Sequence, residues 1–372
     1  MGDKKSRIII LVLVVALVLI IGLIIGILMS DSSADPEKSG NTPDVYVEEP
    51  IITLNKEINE EDDSIVTITA YASTENEEEI TCILLPDGTE VPGATATYTV
   101  TENGVYIFEA TSISGGTAVA EVEVTEIPEI SAANPYVPKG FTVISDNVDE
   151  GFVVADEFDN QYVWVPVESG KLKRETMLDI NYEESSGSAS ALVNSVAKYY
   201  GFYIGRFEAS QYEHDGEVTA ATMAGKIPWT NITQVNAAEH AENSGKVFGY
   251  ADCSTALISS HAWDTVIGWV DLVNENYSSD VNFGNYSGTI YPTGTTTTDS
   301  VRNVCDLAGN VREWTTEVYK GDTTVDQNSP EYATQRVVRG GSANLKRTPI
   351  SHIPYPENTS DNYWGFRLVL YK

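Results

Sequence analysis

The chain has 372 residues, 55 of them acidic and 22 basic, for a net charge of −33. Such a balance repels phosphate backbones and argues against nucleic-acid binding; it suits a well-solvated extracellular surface or one that attracts cations. The length points to two or three domains, and a 42% hydrophobic fraction is enough for ordinary globular cores.

Residues 1–7 carry Lys4, Lys5 and Arg7, and residues 8–28 follow as an unbroken apolar run. About twenty such residues cross a bilayer as a helix. Gly22 and Gly26 sit four apart, a spacing that permits helix contact in a membrane. Basic residues before the run place residue 1 in the cytoplasm and everything after residue 30 outside, a single-pass plasma-membrane topology. A cleaved signal peptide, cut near Ala34, is the alternative, but its apolar region would be shorter. Residues 31–49 are rich in Ser, Asp, Glu, Pro and Gly and read as a flexible acidic tether.

Residues 50–127 are a run of short alternating segments. SIVTITAY at 64–71, TATYTV at 95–100, VYIFEA at 105–110 and TAVAEVEV at 117–124 are separated by turn signals such as Pro86-Asp87-Gly88. Strands of that length at that spacing indicate an antiparallel β-sandwich. The phrase LPDGTEVPGATATYTVTENGVYIFEATSISGGTAVAEVEV resembles the immunoglobulin-like domains of bacterial surface proteins, which implies a spacer or stalk. The acidic run at 75–79 reads as a solvated loop. Residues 128–139, with three prolines, read as a short stiff linker.

Residues 140–372 form the largest block. Strand patterns fall at 141–145, 151–155, 161–167 and 202–208. A short helix is expected over 233–243 with Thr233 as its N-cap. A second is expected over 255–274, where Trp263, Val266, Ile267 and Val270 share a face. Residues 277–298 are dominated by Gly, Ser, Thr, Asn and Tyr; a loop this long implies function or bracing by ligands. Three motifs follow: DLAGNVREW at 306–314, RVVRGGS at 336–342 and GFRLV at 365–369. They place two loops between strands, and loops on a rigid scaffold carry function.

Conventional catalytic patterns are missing. The four histidines show no HExxH or His–x–His spacing, and there is no P-loop or GxGxxG. Cys82, Cys253 and Cys305 form no CxxC; a Cys253–Cys305 pair stays open, with three free thiols the preferred reading.

With YVWVPV at 162–167, YIGRFEAS at 203–210, IPWTNITQVNAAEHAE at 227–242 and LISSHAWD at 257–264, the three motifs resemble the formylglycine-generating enzyme or sulfatase-modifying-factor family. The resemblance implies a variant of the C-type lectin fold. The expected architecture is therefore multidomain: a transmembrane helix, an all-β immunoglobulin-like sandwich and an α+β C-type-lectin-like domain. The family oxidises a substrate cysteine with copper held by two cysteines after RGGS. Leu345 and Ile350 stand at those positions, and no cysteine follows Cys305. Neither side chain supplies the thiolate that suits Cu(I), so no copper is expected. The resemblance also implies structural calcium, held by the side chain of Asp306, the carbonyls of Gly309 and Val311 and the carboxylate of Glu313; an all-oxygen set suits that ion. The bland alternative has Asp306 capping a turn and Glu313 pairing with Arg339 or Arg367, with Trp314 in the core.

The loop after Ser342 offers Asn344, Lys346, Arg347, Tyr355, Asn358, Asp361, Asn362, Tyr363 and Trp364. Tyr, Trp and Asn are what binding surfaces use. Some lectin-fold relatives are variable ligand-binding proteins of phages and bacteria, diversified in this segment. The expected function is a membrane-anchored cell-surface protein whose C-terminal domain binds an extracellular protein or glycan. The alternative is an exported, divergent enzyme of the superfamily.

Overall fold

The computed structural model describes residues 47–59, 64–173, 182–184, 187–295, 299–319 and 334–372. The expected membrane anchor and all but the last few residues of the acidic tether lie outside them. Among the described residues no helix is long and apolar enough to cross a membrane.

Residues 51–124 contribute β1 (Ile51–Ile58), β2 (Val66–Ser73), β3 (Ile80–Leu84), β4 (Glu90–Pro92), β5 (Thr95–Val100), β6 (Gly104–Ser112) and β7 (Thr117–Val124). They form two antiparallel sheets, ordered β1-β2-β5 and β4-β3-β6-β7. The period-two pattern decides which face is inside: along β2, Val66, Ile68, Ala70 and Ala72 are buried while their neighbours are not. These residues meet Ile83, Phe108 and Ala110 of the other sheet in one core. The 128–139 segment then lies against the next unit. Its Tyr136 is buried there, and its Ala132 carbonyl accepts from Trp164 Nε1 at 2.9 Å.

The large unit is built on a six-stranded sheet. In chain order its strands are β8 (Thr142–Ser145), β9 (Val153–Ala155), β10 (Gln161–Pro166), β12 (Gly201–Gly205), β15 (Ser254–Leu257) and β22 (Leu368–Tyr371). Their spatial order is β15-β22-β12-β10-β9-β8. A second sheet holds β11 (Tyr182–Glu184), β18 (Arg312–Tyr319), β19 (Gln335–Arg339) and β20 (His352–Pro356), with β21 (Trp364–Phe366) paired in parallel to β18. Hairpins β13 (Ser210–His214)–β14 (Glu217–Ala221) and β16 (Ser300–Val301)–β17 (Val304–Cys305) complete the strands. Three α-helices are described: α1 (Gly187–Tyr199), α2 (Gln234–Val247) and α3 (Ser260–Asp271).

The six-stranded sheet is covered on both faces, which is why β10 reads as a continuous apolar run. Val163 and Val165 point to the core that contains Trp263, Val266 and Val270 of α3. Tyr162 and Trp164 point to the opposite core, with Trp314, Val338 and Trp364. Burying each of these large side chains stabilises the fold by roughly 1.5–3 kcal/mol.

The helix expected over 255–274 is shorter than that. Residues 254–257 instead form β15 against β22, and Ser259 caps the helix by accepting from Ala262 N–H at 3.1 Å. A local cap and a sheet partner outweigh the periodicity before residue 260. Thr233 does cap α2, its Oγ1 3.3 Å from Asn236 N, and that helix runs on to Val247. Helix α1 was not anticipated, although Leu192, Val196 and Tyr199 are buried at i, i+4 and i+7.

Candidate functional site

The last two strands belong to different sheets: β21 pairs with β18, β22 with β12 and β15. The chain changes sheets at Arg367, whose side chain is fully buried at the seam. Its Nε lies 3.1 Å from both oxygens of Glu313, and Nη2 lies 2.7 Å from Glu313 Oε1. The other N–H groups donate to the carbonyls of Gly205 (3.0 Å), Cys305 (2.9 Å) and Asp306 (3.2 Å). One guanidinium therefore ties together β12, β17, β18 and the start of the 306–314 loop.

Three more carboxylates surround it. Glu208 accepts from Val311 N at 3.0 Å and from Asn310 Nδ2 at 2.6 Å. Asp299 accepts from Ala308 N at 2.8 Å and from the Tyr277 hydroxyl. Asp306 accepts from Gly294 N at 2.7 Å. None of the four carboxylates is more than 2% exposed. Four buried carboxylates against one guanidinium leave an excess of negative charge. Burial pushes Glu208 well above the usual carboxylate range, and the charges of Asp306 and Glu313 push it further. Asp299 is pushed up to about 7, chiefly by burial. Burial also raises Asp306 and Glu313, with Arg367 pulling both back down.

Asn310, in a left-handed conformation at φ +51°, braces the long loop before it. Its Oδ1 accepts from Asn285 Nδ2 and Tyr291 N, both at 2.9 Å, and its N–H donates to Asn285 O at 2.9 Å. Gly309 precedes it at φ +77°, and a Cβ there would stand 2.5 Å from Asn285 O, so only glycine fits. The protein's own side chains thus hold the 277–295 stretch, where bracing by a ligand had been one expectation.

Asp306, Gly309 and Val311 lie on the loop beside Arg367, and Glu313 lies at the start of β18. Among the described residues, no group of three or more His, Cys, Asp or Glu side chains is arranged to hold a metal. The calcium set named from sequence uses two side chains and two carbonyls. An oxygen-only set with surplus negative charge fits a hard divalent cation, but Glu313 already has both oxygens on Arg367. Arg339, the other partner considered for Glu313, instead donates to buried Asp264 at 2.6 Å.

The nine residues of the C-terminal face divide into two groups. Asn344, Lys346 and Arg347 are exposed on a turn closed by Ser342 and Leu345. That turn packs on the long loop: Lys346 Nζ lies 3.3 Å from Asn282 Oδ1, and the Tyr286 hydroxyl donates to Arg347 O at 2.6 Å. Asn358 and Asn362 are exposed, while Tyr355, Asp361 and Tyr363 are half-buried. Asp361 shapes its own turn, accepting from Tyr363 N at 2.8 Å. Trp364 is buried beneath, its ring 4.1 Å from that of Tyr355.

Sequence reasoning missed Arg312. It is 6% exposed, its guanidinium lies 5.5 Å from the Tyr355 ring and 5.3 Å from the Trp364 ring, and Nη1 donates to the Tyr355 hydroxyl at 3.1 Å. Neither Arg312 Nε nor Trp364 Nε1 has an acceptor within the protein. The signal was the charge itself, since Arg312 opens a strand whose other positions are nearly all buried.

The model of the sulfatase-modifying factor enzyme 1-like domain family matches residues 165–372, more than half of the sequence. The chain belongs to this family. Solved structures that resemble the sulfatase-modifying-factor chain include Treponema denticola variable protein 1, at 13% identity over 57% of this chain and 96% of that one, with a TM-score of 0.32. Another is PvdO from Pseudomonas aeruginosa, at 14% identity over 64% and 100% of the two chains, with a TM-score of 0.33. No curated protein matches.

Within this sulfatase-modifying-factor domain the residues do not fit copper. Leu345 and Ile350, at the expected cysteine positions, are half-buried hydrocarbons. Cys82, Cys253 and Cys305 are all unpaired. Burial pushes the Cys253 and Cys305 thiols up, away from the thiolate that Cu(I) binding requires.

Proposed function

We propose that this protein is a membrane-anchored surface binding protein of the sulfatase-modifying-factor family, without formylglycine-generating activity. In this reading the apolar run at 8–28 is the anchor, the seven-stranded unit is an immunoglobulin-like stalk outside the cell, and the C-terminal domain is the head. The head recognises an extracellular protein or glycan through residues 344–364.

The observation that carries the reading is the pair of unanswered donors under that face. A buried N–H without an acceptor costs about 1–3 kcal/mol, and a partner whose docking reshapes the layer above it supplies the missing acceptor. Arg312 Nε and Trp364 Nε1 are two such donors, packed against the half-buried ring of Tyr355, with Tyr363, also half-buried, preceding Trp364 on the same segment. Rings of this kind give contact area at little entropic cost, and Asn358, Asn362 and Asn344 add adaptable hydrogen bonding around them. The absent cysteine pair argues against copper oxidation and leaves binding as the use of the face.

Calcium belongs to the same proposal as a structural ion. Asp306, Gly309, Val311 and Glu313 would hold it, with Glu313 shared with Arg367, and it would neutralise charge that the guanidinium leaves over.

The test is a binding screen of the purified chain against glycan arrays and displayed surface proteins, repeated with Tyr363→Ala and Asn358→Ala. Saturable binding that these changes weaken is expected. Consistent failure to bind, or copper-dependent oxidation of a thiol peptide with turnover, would overturn the reading.

A further inference from the structure

A cleft of about 630 Å³ opens elsewhere on the large unit, between the end of β10, the face of α3 that carries Trp269, and the β16–β17 hairpin. Three bases line it, Lys171, Lys173 and Arg302, against two acids, Asp149 and Glu168. In a chain where acids outnumber bases 55 to 22, a local excess of bases does not follow from composition. The volume falls within the usual range of small-molecule sites, about 300–1,000 Å³.

Arg302 is held in place with unusual care. Arg302 and Asn303 form the two-residue turn of the hairpin, at φ +50° and +63°. Turns of this kind normally take Asn or Gly at both positions, so arginine at the first is disfavoured locally. The surroundings enforce it. Asn303 Nδ2 donates to the carbonyls of Glu150 (3.1 Å) and Gly151 (2.8 Å), and Arg206 Nη2 donates to Asn303 Oδ1 at 3.2 Å. Gly151 lets the turn close on it, since a Cβ there would meet Arg302 O at 2.0 Å. The result is a guanidinium fixed 4.6 Å from the Trp269 ring centroid. Neither Arg302 Nε nor Trp269 Nε1 has an acceptor within the protein, and Trp269 is 5% exposed. A pinned residue in a sparsely populated conformation, its guanidinium lining a cleft, marks a functional position.

We propose that this cleft binds a small molecule carrying a carboxylate or phosphate group, seated on the Arg302 guanidinium with Lys171 and Lys173 at the rim. The planar fork of arginine matches two oxygens of such a group at once. The cleft shares no lining residue with the 344–364 face, so the two sites stand or fall separately.

The experiment is calorimetric titration of the purified chain with sodium phosphate and, separately, with sodium glucuronate, at constant ionic strength. Saturable one-to-one binding in at least one arm is expected. Arg302→Gln weakens it about tenfold or more, as loss of a charged hydrogen-bond donor does. Lys171→Gln weakens it by about threefold, the scale of an exposed charge pair. Lys226→Gln, exposed and outside both the cleft and the 344–364 face, leaves it unchanged. Binding in the phosphate arm alone assigns a phosphate ester, in the glucuronate arm alone a carboxylate, and in both an oxyanion site of either kind. The proposal is overturned by silence in both arms or by binding that Arg302→Gln leaves intact. If Arg302→Gln does not fold, Lys171→Gln decides by the same criterion.

Discussion

Replacing Arg367 by methionine should be among the most damaging single changes in the large unit. Methionine keeps much of the apolar stem and removes only the guanidinium. Both oxygens of Glu313 then lose their partner, and so do donor contacts to the carbonyls of Gly205, Cys305 and Asp306. Leaving one member of a buried ion pair uncompensated costs about 3–5 kcal/mol. Asp306 adds to that cost, because the guanidinium also attracts it. For a domain of this size each kcal/mol moves the melting temperature by about 2–4 °C, so a drop of roughly 10 °C is expected. Denaturant unfolding followed by tryptophan fluorescence measures the loss. The double variant Arg367→Met, Glu313→Leu separates charge from packing, since a matched apolar pair is often as stable as a buried ion pair. It should recover at least half the loss. A single variant that loses less than about 1 kcal/mol, a surface-mutation effect, would refute the central role given to Arg367. So would a double variant as unstable as the sum of its parts.

Two other outcomes are expected from the same cluster. Millimolar calcium should raise the melting temperature and EDTA should lower it, with Asp306→Gly removing the difference; Gly accommodates the φ of +58° at that position. A chelator that changes nothing would remove Asp306 and Glu313 from the list of metal ligands. In chelated buffer, stability should fall with rising pH. Asp299 titrates near 3.8 when unfolded and at about 7 when folded, so the folded state holds the extra proton between those values. Its stabilising contribution is full below about pH 4 and is lost as pH rises through about 7. Asp299→Asn should flatten the profile measured by denaturant unfolding, and an unchanged slope would mean that Asp299 is not the group responsible.

The sandwich strands and the motifs around Arg367 were legible because they follow strict local patterns. Alternation in β2 and the glycine–asparagine pair at 309–310 each depend on a few neighbouring residues. The partner of Glu313 was not legible: Arg339 and Arg367 were equally available in sequence, and only the change of sheet at Arg367 decides between them. Helix α1 was overlooked although its signal is local, whereas the start of α3 was misread for a long-range reason. Sheet pairing of residues 254–257 with the end of the chain is a long-range fact that periodicity does not carry. Arg312 was overlooked because a charged residue at the head of a buried strand looks like a boundary, until two aromatic rings from distant segments close over it.

The acceptors of Arg367 lie 54, 61, 62 and 162 residues earlier in the chain. In synthesis or export that proceeds from the N-terminus, the guanidinium arrives after every group it joins. Closure over so long a separation carries a loop-entropy cost and slows folding. Until it happens, Glu313 and Glu208 have no cation, and the seam between the two sheets has every reason to stay open and hydrated. The seven-stranded unit at 51–124, whose contacts are more local, is free to fold first. The large unit should then appear in one late, cooperative step that truncation before residue 367 abolishes.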